Sequence, residues 1–300
     1  MTQRFTPLRD AIEKRISHLT GRTLGGVDYT QPKGDPGLFG PDTVAWRVHG
    51  DFTSMMCGGI SALLLQMLHP LALAGVWDHS NFRHDMIGRL RRTSQFIAVT
   101  TFGSHDDAER LLERVRRVHA GVEGTTADGR AYAASDPALL TWVHVAEMSR
   151  FLAAHLRYRN PRLSLAEQDR YFAETARVAE ALGATQVPTS RAAVDAYFEH
   201  KRRYLVCDAR TREVTEILLH ALPPSPLVKP VGALFMRAGI DLLPPWAATL
   251  LSLELAAPER RAVRGGIRTL APMMRWAVRN GSYRRAMERM QAREQARQPR

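Results

Sequence analysis

Two cysteines in 300 residues, Cys57 and Cys207, leave nothing from which a disulfide framework or a Cys-x-x-Cys metal site can be assembled. That scarcity fits a reducing compartment. Long hydrophobic runs are also missing. The longest, Ile60 to Val76, is interrupted by Gln66, His69 and Pro70, and is too short and too polar to span a bilayer. The first residues, MTQRFTPLRDAIEKRISHL, are charged throughout and contain no apolar segment of the secretory type, so a cytoplasmic location is expected. Strand-like alternation bounded by turns is nearly absent, as are internal repeats and low-complexity segments. GxGxxG, P-loop, HExxH, GxSxG and EF-hand spacings do not occur, which removes most dinucleotide, nucleoside triphosphate, zincin, hydrolase and calcium chemistries.

What is present is an ordinary globular composition, 45% hydrophobic and 24% charged, enough to bury a sizeable core. The net charge of +12 is distributed unevenly: residues 257–300 hold twelve Arg and three Glu, so the body is near neutral. That segment, with Trp276, Met287 and Met290 at helical spacing, reads as a basic strip for an anionic membrane surface or partner, or as a solvated tail. Base-stacking aromatics are sparse there, so nucleic acid is not expected as a partner.

Apolar residues recur at three and four almost everywhere, which predicts an all-α chain. A first helix is expected over Leu8 to Leu19, followed by a Gly- and Pro-rich wrapping arm from Gly21 to Pro41. Helices are then expected from Met55 to Val76 with a kink at Pro70, from Asp85 to Phe102, and from a cap at Ser104 to Val122. Others run from Asp136 to Tyr158, from the capping box Ser164-x-x-Glu167 to Leu182, and from Ser190 to Leu222. A proline cluster (Pro223, Pro224, Pro226, Pro230) breaks the chain, Pro244-Pro245 opens a helix bearing Trp246, and two or three short helices reach Met290. The expected organisation is an N-terminal helix and arm (1–43), a core (44–256) and basic C-terminal helices (257–300).

Several residues exceed what folding asks for. His119 falls within the apolar stripe of Leu111, Leu112, Val115, Val118 and Val122, where an imidazole can ligate a metal or simply bond a core neighbour. Arg89, Arg92 and Thr93 share one helix side at i, i+3 and i+4, suited to holding carboxylates or polarising bound oxygen, or else to a solvated basic face. His144 and Glu147 form an i, i+3 pair, but in reversed order and single copy relative to di-iron bundles, which leaves His144 as an alternative axial ligand. His69-Pro70 and Asp78-His79-Ser80 bracket an apolar helix and read first as its kink and exit turn. Cys57, among Met55, Met56 and Ile60, reads as a buried inert thiol.

The segments WRVHGDF (46–52), GGISALLLQMLHPLALAGVWDHSNFR (58–83), GRLRRTSQF (88–96) and RVRRVHAGVEG (114–124) together resemble the mpaB and rubber-oxygenase family, which includes the latex clearing proteins. Weaker similarity continues through the DP-x-LL-x-WVH segment (136–144) and LLPPW (242–246). The resemblance implies an all-helical bundle with a globin-like core and a haem b (iron protoporphyrin IX) held by one histidine, with dioxygen as co-substrate. It assigns His119 as iron ligand and puts Arg89, Arg92 and Thr93 on the family's distal Arg-x-x-Lys-Thr positions, Arg92 standing where the family has lysine. A haem-dependent oxygenase of a small lipophilic, isoprenoid or lipid-like substrate is therefore expected. The alternatives are a haem-binding regulatory protein without turnover and a helical interaction protein acting through its basic tail.

Overall fold

A computed structural model describes residues 26–221, 229–278 and 281–297, the last six by backbone alone. The first predicted helix, Leu8 to Leu19, lies outside the described residues. Those described form thirteen α-helices and one small hairpin, an all-α architecture. In chain order the first six helices are α1 (Val44–His49), α2 (Phe52–Gln66), α3 (Pro70–His79), α4 (Met86–Phe102), α5 (His105–Ala120) and α6 (Pro137–Tyr158). They are followed by α7 (Leu165–Leu182), α8 (Arg191–Lys201), α9 (Ala209–His220), α10 (Lys229–Asp241), α11 (Pro245–Leu251), α12 (Ala257–Ala277) and α13 (Ser282–Arg297). No single helix among the described residues is long and apolar enough to cross a membrane.

Helices α2 and α6 form the centre, and both bury residues on nearly every side. Their close approach requires Gly58: a Cβ there would stand 2.9 Å from the Arg150 carbonyl oxygen and 3.0 Å from Phe151 Cα, both backbone atoms that cannot step aside. The pair is tied at its other end by Trp142 Nε1 donating to the Gln66 carbonyl at 3.2 Å and by Gln66 Nε2 donating to the Val143 carbonyl at 3.2 Å. Helix α10 crosses α2 where Gly239 lies against Ile60, again with no room for a Cβ.

Start signals behave as capping chemistry requires. Asp51, Asp85, Ser104, Asp136, Ser164, Ser190 and Asp208 each accept a hydrogen bond from the first turn of the helix they precede, and Ser164 with Glu167 closes a capping box. Four expectations are corrected. Pro70 does not kink one helix but separates two, α2 and α3, inclined at 102°, because His69 adopts an extended backbone and Pro70 takes the first helical position. The helix from Ser190 ends at Lys201, passes through a 3-10 turn at Arg202–Tyr204, and restarts at the Asp208 cap. Helix α10 begins immediately at Lys229, with Pro230 accommodated in its first turn, where no intrahelical donor is needed. Fourth, the helix expected from Ser104 to Val122 ends at Ala120, and beyond it Glu123–Thr125 (β1) pairs antiparallel with Ala131–Ala133 (β2), Glu123 opposite Ala133 and Gly129 at positive φ in the turn.

The basic C-terminal segment is longer and better anchored than short helices with a solvated tail. Val263, Ile267, Ala271 and Met274 bury one face of α12. Its arginines turn inward: Arg260 and Arg264 bind the Asp241 carboxylate, and Arg275 binds Asp51 at 2.6 Å and the Tyr158 carbonyl at 2.9 Å. On α13, fully buried Arg289 donates to the carbonyls of Asp35, Tyr29 and Gly103 at 2.8, 3.2 and 3.1 Å. Part of the predicted arm, from Tyr29 to Asp35, is thereby fastened to the C-terminal helix.

Candidate functional site

Helices α3 to α7 surround a cavity of about 790 Å³. Helix α5 closes one side with the stripe that runs through Leu111, Val115, Val118 and Val122, and His119 stands among them facing the same space. The stripe is only partly covered: Val118 is 58% exposed, so this face of α5 borders an opening rather than a closed core. Helix α4 contributes Arg89, Arg92, Thr93 and Phe96 from the adjacent wall, and α6 contributes Leu140, Val143, His144 and Glu147. Residues from Phe39 to Leu182 are thus brought to one chamber.

The two histidines differ in setting. His119 is half-buried, its Nδ1 has no hydrogen-bond partner, and burial lowers its pKa. His144 is more deeply buried, and burial pushes its pKa down to about 4. Both rings are therefore neutral near pH 7, each with a nitrogen lone pair available. Among the described residues no group of three or more His, Cys, Asp or Glu side chains comes together to hold a metal ion, so a bare ion with only protein ligands is not built here.

Arg89 turns inward and donates to Ser80 Oγ at 3.0 Å, while among the described residues its Nε has no partner and no carboxylate pairs with it. Burial, with a smaller contribution from Arg92, pushes its pKa down to about 10, so it remains a cation in an apolar wall. Arg92 lies at the rim, 59% exposed and 3.5 Å from Asp85. Ser80 serves Arg89 and Asp78 accepts from Tyr132 at 2.5 Å, and His79 and Ser80 line the chamber, so the end of α3 is part of its wall as well as an exit turn. Cys57 is fully buried with its thiol pKa raised by burial first and by Asp51 second, an inert group.

Leu63, Thr93, Ile97 and Glu147 also line a second cavity of about 790 Å³, so these side chains form a partition between two chambers. Glu147 is the residue that spacing alone undervalues. It has no hydrogen bond or ion pair, and burial pushes its carboxyl pKa up to about 7. His49 touches both chambers too, held by Thr101 Oγ1 and Tyr171 Oη, each at 2.8 Å, and burial pushes its pKa down to about 3. The only trace of it in the sequence is its place in WRVHGDF.

Comparison with known proteins identifies the family. The model of the family described as ER-bound oxygenase mpaB/B'/Rubber oxygenase, catalytic domain, matches residues 46–276, a span that contains both chambers except for a few lining residues at its two ends. Uncharacterised proteins of Mycobacterium tuberculosis and Mycobacterium bovis are each 27% identical over 187 residues, covering 61% of this chain and 73% of theirs. No solved structure matches the chain.

Proposed function

The chain belongs to the mpaB and rubber oxygenase catalytic-domain family, and on that footing we propose that it is a haem b-dependent oxygenase acting with dioxygen on a small lipophilic substrate. The observation that carries this reading is the convergence, in one apolar chamber, of a neutral imidazole with an unpartnered ring nitrogen and a buried guanidinium with no carboxylate. A b-type haem suits both: His119 would ligate its iron, and Arg89 would neutralise a propionate. When bound, the haem supplies dioxygen binding and the electron transfer that oxygenation needs.

The remaining residues act around that group. The apolar side chains of α5 and α6 exclude water, which strengthens every polar interaction within the chamber. Thr93 offers a hydroxyl as a hydrogen-bond donor toward dioxygen from the chamber wall, and Arg92 adds a cation at the rim. Arg92 stays charged and can only donate, so this chain has no lysine amine at that position to serve as a second iron ligand. Glu147 sits on the partition carrying a proton that it can release near neutral pH.

The test is an absorption spectrum of protein expressed with haem supplementation, repeated on His119→Ala and His144→Ala. A Soret band lost in His119→Ala and kept in His144→Ala is expected. The reverse pattern moves the iron ligand to α6, and colourless wild-type protein that stays so on hemin titration ends the oxygenase reading.

A further inference from the structure

The chamber beyond the partition has a direction. Glu147, Phe151, His155 and Arg159 line it in steps of four along α6, a rise of about 18 Å from end to end. Helix α2 follows the same course from Phe52, past Met55 and Gly59, to Leu63. Between the ends the walls are apolar and yielding, with Met55, Met56, Ile60, Leu90, Phe151 and Met236. Charge collects at the end away from the partition, where Arg275 binds Asp51, and Arg47 and the exposed Arg159 and Arg284 also line the chamber. Two of these cations are committed, Arg47 to Glu167 at 2.7 Å and Arg275 to Asp51. Arg159 and Arg284 have no acidic partner among the described residues.

We infer that this second chamber binds an amphipathic molecule with one long hydrocarbon chain and an anionic head, carboxylate or phosphate. Arg159 and Arg284 hold the head, and the chain runs along α2 and α6 to the partition at Thr93 and Glu147. A planar guanidinium pair suits either oxyanion and rejects a neutral head, whereas the flexible methionine walls set chain length only loosely. The inference rests on the proposed function only for its chemical consequence, that the far part of the chain rather than the carbons beside the head is offered to the His119 chamber.

Binding is tested on the full chain without haem, by calorimetric titration with laurate, lauryl phosphate and lauryl alcohol below their aggregation concentrations. Both anions are expected to bind at least about tenfold more tightly than the alcohol, and the tighter of the two identifies the head. Arg159→Ala with Arg284→Ala should erase that preference while leaving alcohol binding intact. Gly59→Leu should abolish binding of all three, because a Cβ at Gly59 meets nothing closer than Phe151 at 3.8 Å and a longer side chain fills the chamber. Its thermal midpoint and its haem uptake should match the wild type, which separates this result from the fate of the haem reading. Equal binding of acid and alcohol by the wild type, no binding of any of the three, or undiminished binding in Gly59→Leu overturns the inference.

Discussion

Glu147 links a single carboxyl group to the pH dependence of the whole fold. Its pKa is 4.5 when solvated and about 7 in place, raised by burial. The folded state therefore holds a proton that the unfolded chain releases, and stability falls as pH rises from about 4.5 to 7. Glu147→Gln removes that penalty. Denaturant unfolding should show the variant more stable than wild type at pH 8 by up to about 3 kcal/mol, an upper bound because cavity water screens the charge, and little different at pH 4.5. Arg89→Met should likewise leave the haem-free protein as stable or more so, since it replaces a buried cation lacking a carboxylate. The same change should weaken haem retention by about tenfold or more, read from haem transfer to a scavenger protein. His119 and Arg89 could be singled out in the sequence as candidates because each puts a group that is costly to bury on an otherwise apolar or regular helix face, whereas Arg92, on the same helix side as Arg89, turns out to sit at the exposed rim. Glu147 was visible only as the i, i+3 neighbour of His144: its significance lies in having no partner among the described residues, and spacing shows only which side of a helix a residue shares.

At the scale of elements, the lengths and starts of helices were legible wherever a side chain caps them, as at Asp85, Ser104, Asp136 and Ser164. Breaks inside apolar stretches were not. Periodicity runs straight through Pro70 and through 202–208, because the residues on either side pack into the same core although the axis turns between them. The short hairpin escaped because three-residue strands leave no alternation to detect. How closely α2 and α6 approach was likewise invisible, since Gly58 looks like any helical glycine until the neighbouring carbonyl is in place. Gly58→Ala should raise helix propensity and yet destabilise the protein by about 1–3 kcal/mol, measured by urea unfolding, since the contacted atoms are backbone.

Across the whole molecule, the excess of arginine is a device for assembly before it is a surface charge. Asp241, with no exposed side-chain surface, collects Arg157 from α6 and Arg260 and Arg264 from α12. Burial would raise its pKa, but the bonds from Arg264, Arg157 and Arg260 outweigh it and hold the carboxyl below its ordinary value. Its stabilising contribution is therefore present above about pH 4 and lost as pH falls through the depressed value. Asp241→Asn should cost about 3 kcal/mol at pH 7 by denaturant unfolding, and that difference from wild type should shrink on acidification. Charge counting along the sequence located these arginines but not their direction, because a helix with one apolar face and arginines on its flank reads the same whether the flank meets water or a carboxylate.

Arg289 gives the C-terminal helix a further role. Its guanidinium is enclosed by the carbonyls of Tyr29, Asp35 and Gly103, with the charges of Asp35 and Asp107 only partly offsetting its burial, so it ties three backbone segments to one side chain. Tyr29, Phe102 and Tyr283, which wall the charged end of the second chamber, ride on those same segments. Removing α13 would therefore do more than shorten the polypeptide: the arm at Tyr29 to Asp35 and the turn at Gly103 would lose the guanidinium that holds them together.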